Sequence, residues 1–228
     1  SSDLIFDIQI TLYHGEDRAS VRITDFHTNL VHVSRNGEIL LAKEITGKEE
    51  SALADKSTLT IEKIFAFAKE VDLADVREVL ERQVRYNMAI AEEGLCGNYG
   101  ANIGKVLLAT YGDQDVKVRA KAMAAAGSDA RMNGCELPVI INSGSGNQGM
   151  TCSLPVIEYA KELKVSEEKL YRALALSNLV AIHQKTGIGR LSAYCGAVCA
   201  GAAAGTGIAY LCGGGYAEVT HTVVNALA

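Results

Sequence analysis

Apolar and polar positions alternate with a period of two from residue 4 to residue 43. The runs "LIFDIQITLY", "ASVRITDF", "NLVHVS" and "EILLAKE" read as strands, with turn signals at His14-Gly15-Glu16-Asp17 and Asn36-Gly37. Asn-Gly between apolar runs is a strong hairpin signal, because both turn positions need positive φ. The pattern predicts an antiparallel meander of three or four strands, then a charged connection from Glu44 to Lys56.

From Thr60 the period lengthens. Ile61, Ile64, Phe65 and Ala68 share one helical face, and Val76, Val79, Leu80, Val84 and Met88 form a second stripe. "GLCGNYGANIG" (94–104) reads as a glycine-rich break, with helix resuming from about Lys105 to Met132. Pro155 suits the first turn of a helix through "VIEYAKEL". Ser166 before Glu167 and Glu168 reads as the N-cap of another, which runs through "LYRALALSNLVAIHQ". Residues 191–217 carry no charge and are mostly Ala, Gly and Cys, which predicts a closely packed buried helix in preference to a membrane span. Strands followed by helices give an α+β class: a small strand domain at 1–56 and a helical catalytic domain at 57–228. The chain opens "SSDLIFDIQI" without an initiator Met and stops at "HTVVNALA" inside a helical pattern, so a fragment of a longer polypeptide is expected. The open strand edge and the apolar end suggest contacts made elsewhere, a homo-oligomer among the options.

The 228 residues are 48% hydrophobic, enough for a substantial core, and the net charge of −5 comes without a basic stripe, which argues against a nucleic-acid partner. Six cysteines in a chain of this size point to a reducing, cytoplasmic setting, where each thiol is core filler or a metal ligand.

Gly144-Ser145-Gly146-Asn147-Gln148-Gly149 matches G-x-G-x-x-G behind the apolar run "LPVIIN". A dinucleotide site also needs a helix directly after the turn and a second parallel strand. Cys152-Ser153-Leu154-Pro155 is expected to delay the helix, and "EYAKEL" leads to another helix, so the βαβ unit is incomplete. Gly104-Lys105 fails as a phosphate loop, since Val106 follows and Tyr99 holds the first glycine's place. What remains is a donor-rich turn suited to an anion such as an amino-acid carboxylate, or a plain tight turn that caps its neighbours.

Three stretches, "GSDARMNGCELPVIINSGSGNQGMT" (127–151), "IGRLSAYCGAVCAGAAAGTGIAYLCGG" (188–214) and "HTNLVHV" (27–33), resemble the serine dehydratase α-chain / L-cysteine desulfidase family. The resemblance implies a [4Fe-4S] lyase that eliminates a β-thiol or β-hydroxyl from a small-molecule L-amino acid, giving pyruvate and ammonia. It carries Cys195, in "RLSAYCGA", over as an iron ligand. The family's other two ligand motifs, G-C-T-E-P and M-I-C-D-G-A, are absent from the chain, so this piece is expected to be apo and inactive and the full-length protein to be the enzyme.

That chemistry needs fixed donors at the substrate carboxylate, where charge builds as the α-proton leaves. Ser143, Gly144, Ser145, Gly146, Asn147 and Gln148 are candidates for this clamp, with Arg190 as a bidentate contact. His183 and Lys185 are candidates for the base. His27 and His32 read as structural, and Asp129 as a loop organiser through an ion pair. Cys199, four residues after Cys195, is the likeliest further thiol near a metal. A non-catalytic amino-acid-binding module is the alternative, and a nucleotide-dependent oxidoreductase the third reading.

Overall fold

A computed structural model describes residues 7–25, 29–44, 55–188 and 195–228. The chain divides into two units, Ser1–Asp55 and Lys56–Ala228.

The first unit is a four-stranded antiparallel sheet in chain order: β1 (Asp7–His14), β2 (Asp17–Thr24), β3 (Leu30–Arg35) and β4 (Glu38–Ala42). The hairpin signals hold. Gly15 turns β1 into β2 at φ 60°, and Asn36 and Gly37 join β3 to β4 at φ 50° and 90°. Asn36 is anchored as well: its Oδ1 accepts from the Arg18 N–H at 2.7 Å and its Nδ2 donates to Asp17 at 2.6 Å. Register follows the alternation. Ile8, Ile10 and Leu12 stand opposite Ile23, Val21 and Ala19, and Val21 stands opposite Val33, which faces Leu41. The opposite face carries Gln9, Thr11, Ser20 and Arg22, with Thr11 donating to Ser20 across the pair at 3.1 Å.

The second unit holds eight α-helices among the described residues: α1 (Ile61–Glu70), α2 (Leu73–Cys96), α3 (Ile103–Tyr111), α4 (Val116–Met132), α5 (Gly146–Glu162), α6 (Glu167–Ile188), α7 (Gly196–Leu211) and α8 (Tyr216–Leu227). The fold is therefore α+β, an antiparallel meander followed by helices. Most helix starts are capped as the sequence suggests. Thr60, Asp72, Asp115 and Ser166 each accept a backbone N–H from the first turn of α1, α2, α4 and α6 respectively. The α3 start is different. Asn102 makes no side-chain cap, and Asp129 of α4 accepts the Ile103 N–H at 2.7 Å instead. Asp129 thus organises its surroundings as a cap supplied by a neighbouring helix, not through the expected ion pair.

Helix α5 is central, with Met150, Cys152, Leu154, Val156 and Ile157 all buried. It packs with α4, α6 and α7, which is why its apolar residues are not confined to one stripe. Two expectations fail here. The helix begins at Gly146 and runs through Pro155, so the turn leads into it directly. Ser145 caps the helix start, and α5 carries Pro155 in its interior despite the missing N–H and the crowding of the ring against the carbonyl four residues earlier. "LPVIIN" also forms no strand; its one bridge joins Asn142 to Ser145. A side chain satisfies its backbone instead. The fully buried Asn87 of α2 accepts the Ile140 N–H at 2.9 Å and donates to the Ile140 carbonyl at 3.4 Å. An apolar run held by one amide looks, in sequence, like an apolar run held by a neighbouring strand.

The Ala/Gly-rich segment is α7, buried along one face through Cys199, Ala200, Ala203, Thr206 and Gly207. Gly205 and Gly207 are close-approach glycines here, Gly205 against Thr222 of α8. A methyl at 207 would press on Val156 and the Ala173 carbonyl, whereas nothing lies within reach at 201. The break after α2 is shorter than expected, because α2 continues through Gly94, which sits directly on the Ala126 carbonyl of α4.

Candidate active site

Asn142 and Ser145 exchange both backbone hydrogen bonds, each 3.0 Å. Between them stand Ser143 and Gly144, at φ 48° and 84°. Two positive φ values in a two-residue loop define a type I′ turn, which glycine enters freely and serine does not. Helix α5 starts at once behind this turn. Its N-cap, Ser145, accepts the Gln148 N–H at 3.4 Å. The N–H groups of Gly146 and Asn147 lie in the first turn, where no intrahelical acceptor exists, and the dipole of the helix favours negative charge beside them. Asn147 adds a directed donor: its Oδ1 accepts from Arg131 Nη1 at 3.2 Å, so its NH₂ is the free end of the amide. Gly146 has to be glycine, since a methyl there would overlap the Arg131 side chain and Val139.

Gln148 joins this helix start to a second one. Its side chain is 4% exposed, and its amide lies on Gly196, where a methyl would overlap it. Gly196 is the first residue of α7, and Cys195 is the N-cap. Cys195 thus directly precedes the residue on which the Gln148 amide lies; its thiol is exposed and makes no capping hydrogen bond. The Gln148 Oε1 is buried without a hydrogen-bond partner among the described residues.

Burial pushes the Cys199 thiol up; the charge of Lys185 opposes that rise and Cys195 adds to it. Lys185 is half-buried on α6. His183 is half-buried two positions earlier, about 200° round the helix, and does not share that face. Cys152 is fully buried and its thiol is pushed up to about 12 by loss of solvation, which keeps it protonated and unreactive. Mild alkylation of the native chain at pH 8 is expected to modify Cys195 and to spare Cys152 and Cys199, read by peptide mass mapping; labelling of Cys152 ahead of Cys195 contradicts this placement.

The family whose model matches is the serine dehydratase alpha chain, over residues 28–228. The chain belongs to this family. It is 62% identical over 227 residues to a UPF0597 protein of Desulfitobacterium hafniense, which covers 100% of the chain and 53% of that protein. A UPF0597 protein of Lachnoclostridium phytofermentans is 55% identical over 221 residues, 97% of the chain and 52% of that protein. The chain thus spans about half the length of the curated relatives it matches. No solved structure matches it.

The described residues do not by themselves make up a metal-cluster site. Cys195 is an accessible thiol at the N-terminus of α7. Among the described residues no three of His, Cys, Asp and Glu stand together as a metal-holding group. Cys199, though within electrostatic reach of Cys195, is buried. Arg190 and His27 lie outside the described residues, while His32 is half-buried in β3. No described helix is long and apolar enough to cross a membrane. The nucleotide reading is overturned: no strand precedes the turn, and the described sheet is antiparallel and belongs to the other unit. Sequence reasoning missed Asn142, Asn178, Arg131 and Gly196. Asn142 directly precedes the singled-out turn and Gly196 lies inside the "RLSAYCGA" segment, and those positions were the available signal.

Proposed function

We propose that this chain is the substrate-holding part of an iron–sulfur lyase that eliminates a β-thiol or β-hydroxyl from an L-amino acid. The observation that supports the reading is the contact of the Gln148 amide with Gly196, the residue that follows the exposed Cys195. The substrate carboxylate lies at the start of α5, held by the Gly146 and Asn147 N–H groups and the Asn147 side-chain NH₂, with Arg190 as a further contact. These donors are in place before the α-proton leaves, so they stabilise the charge that builds on the carboxylate without reorganising. Lys185 and His183, both half-buried on α6, are the candidate bases. The base, in its neutral form, takes the α-proton; the Cα–H electron pair forms the C=C bond, and the Cβ–S or Cβ–O pair departs with the heteroatom. The enamine becomes an imine, which water converts to pyruvate and ammonia.

Cys195 would hold one iron corner of a cluster whose remaining ligands come from outside this chain. Such a cluster, when bound, supplies a Lewis acid for the departing heteroatom. The test is the full-length protein, purified without oxygen and given iron and sulfide. Pyruvate from L-serine, or pyruvate with sulfide from L-cysteine, supports the lyase. Saturable amino-acid binding with no pyruvate leaves the non-catalytic binding module.

A further inference from the structure

The polarity of the turn is set from behind by a chain of amides. Asn178 of α6 donates its Nδ2 to the Leu174 carbonyl at 2.8 Å and to Gln83 Oε1 at 2.8 Å. A carbonyl can only accept, so the Asn178 amide cannot flip, and its Oδ1 faces three donors. These are Gln83 Nε2 at 3.0 Å, Cys152 Sγ at 3.4 Å and Asn142 Nδ2 at 3.0 Å. Asn142 is fixed a second time, because its Nδ2 also reaches the Asn178 backbone carbonyl at 3.1 Å. Its Oδ1 must then point to the turn, where it receives the Ser143 hydroxyl at 3.0 Å. Gln83 and Asn142 are 2% and 4% exposed, so water does not scramble this order. The Ser143 proton is spent inward, and the oxygen at the exposed tip shows only lone pairs to the outside.

We propose that Ser143 Oγ accepts a hydrogen bond from the α-ammonium group of an amino acid, with Asn142 and Asn178 as the positioning residues that set its polarity. The same bend then reads a zwitterion. Acceptor Ser143 takes the cation, and the α5 N–H groups and the Asn147 NH₂ take the carboxylate. This rests on the lyase reading for its site but not on turnover, and it assigns Ser143 a role opposite to that of a carboxylate donor.

The experiment compares L-serine with 3-hydroxypropanoate, which lacks only the ammonium group, by equilibrium titration of the full-length protein. Ser143→Gly is the variant of choice, since glycine accepts the φ of 48° and preserves the turn. L-serine is expected to bind about 10- to 100-fold more weakly to the variant, with 3-hydroxypropanoate unchanged. Asn178→Leu is expected to narrow the preference for L-serine over 3-hydroxypropanoate in the same way and to speed hydrogen exchange at the Asn142 and Ser145 N–H groups. An equal loss for both ligands in Ser143→Gly, or no loss, overturns the assignment even where the wild type releases pyruvate. A wild type that binds neither ligand overturns it together with the lyase reading.

Discussion

Serine in place of Cys195 is expected to make this chain more stable and the full-length protein inactive. Cys195 is the N-cap of α7, a position where a side-chain oxygen normally takes an N–H from the first turn. The cysteine makes no such bond. Serine differs by one atom and is among the strongest N-caps, so the substitution should raise the unfolding free energy of the 228-residue chain by about 1 kcal/mol. The effect on turnover runs the other way. If Cys195 holds an iron corner, losing it removes a Lewis-acid contribution of several kcal/mol, on the order of 10³-fold in kcat. Iron bound per full-length protein should fall as well, which gives a readout independent of turnover. Chemical denaturation of the chain, iron content and pyruvate release together decide the matter. A variant that keeps its iron and its pyruvate release removes Cys195 from the proposal. A residue that weakens its own helix start where its nearest isostere would strengthen it is the stability–function conflict expected at a working site.

The fold was legible where local chemistry alone decides. Asn36-Gly37 could only be a tight hairpin, and Ser166 with its following acids could only open a helix. The site was legible in its parts, because the turn at 143–148 and Cys195 both stand out. The adjacency of their segments was not, since it depends on Gln148 lying against Gly196, and no periodicity reports a contact between residues 48 positions apart. The same limit hid the role of Asn178. An asparagine in the middle of an apolar helix reads as a tolerated polar residue until its partners on α2 and the turn are in view. The misread strand at "LPVIIN" has a similar cause: Asn87 supplies from 53 residues away what a neighbouring strand would have supplied.

Gly149→Ala is expected to be among the most damaging single-methyl changes in the helical unit. An alanine methyl at 149 would overlap the Ile140 carbonyl oxygen and crowd the carbonyl carbons of Ile140 and Ile141. These are backbone atoms, and Asn87 holds Ile140 by both its N–H and its carbonyl, so the segment cannot swing aside without breaking those bonds. Alanine's better helix propensity returns at most about 1 kcal/mol. Overpacking against fixed backbone costs up to about 3 kcal/mol or more, so the net effect is a loss of roughly 2 kcal/mol, measured by urea unfolding of the chain. Gly201→Ala is the matched control. It lies mid-helix in α7 with nothing within reach of the new methyl, and should gain about 0.5–1 kcal/mol. Gly196→Ala falls between them, because its methyl meets the end of the Gln148 side chain and not backbone. That amide can move, so the chain should keep most of its stability while the Gln148–Gly196 contact is lost. Equal costs at 149 and 196 would mean that the Gln148 amide is as rigidly held as the Ile140 backbone, and would make the junction of the two helix starts a structural lock.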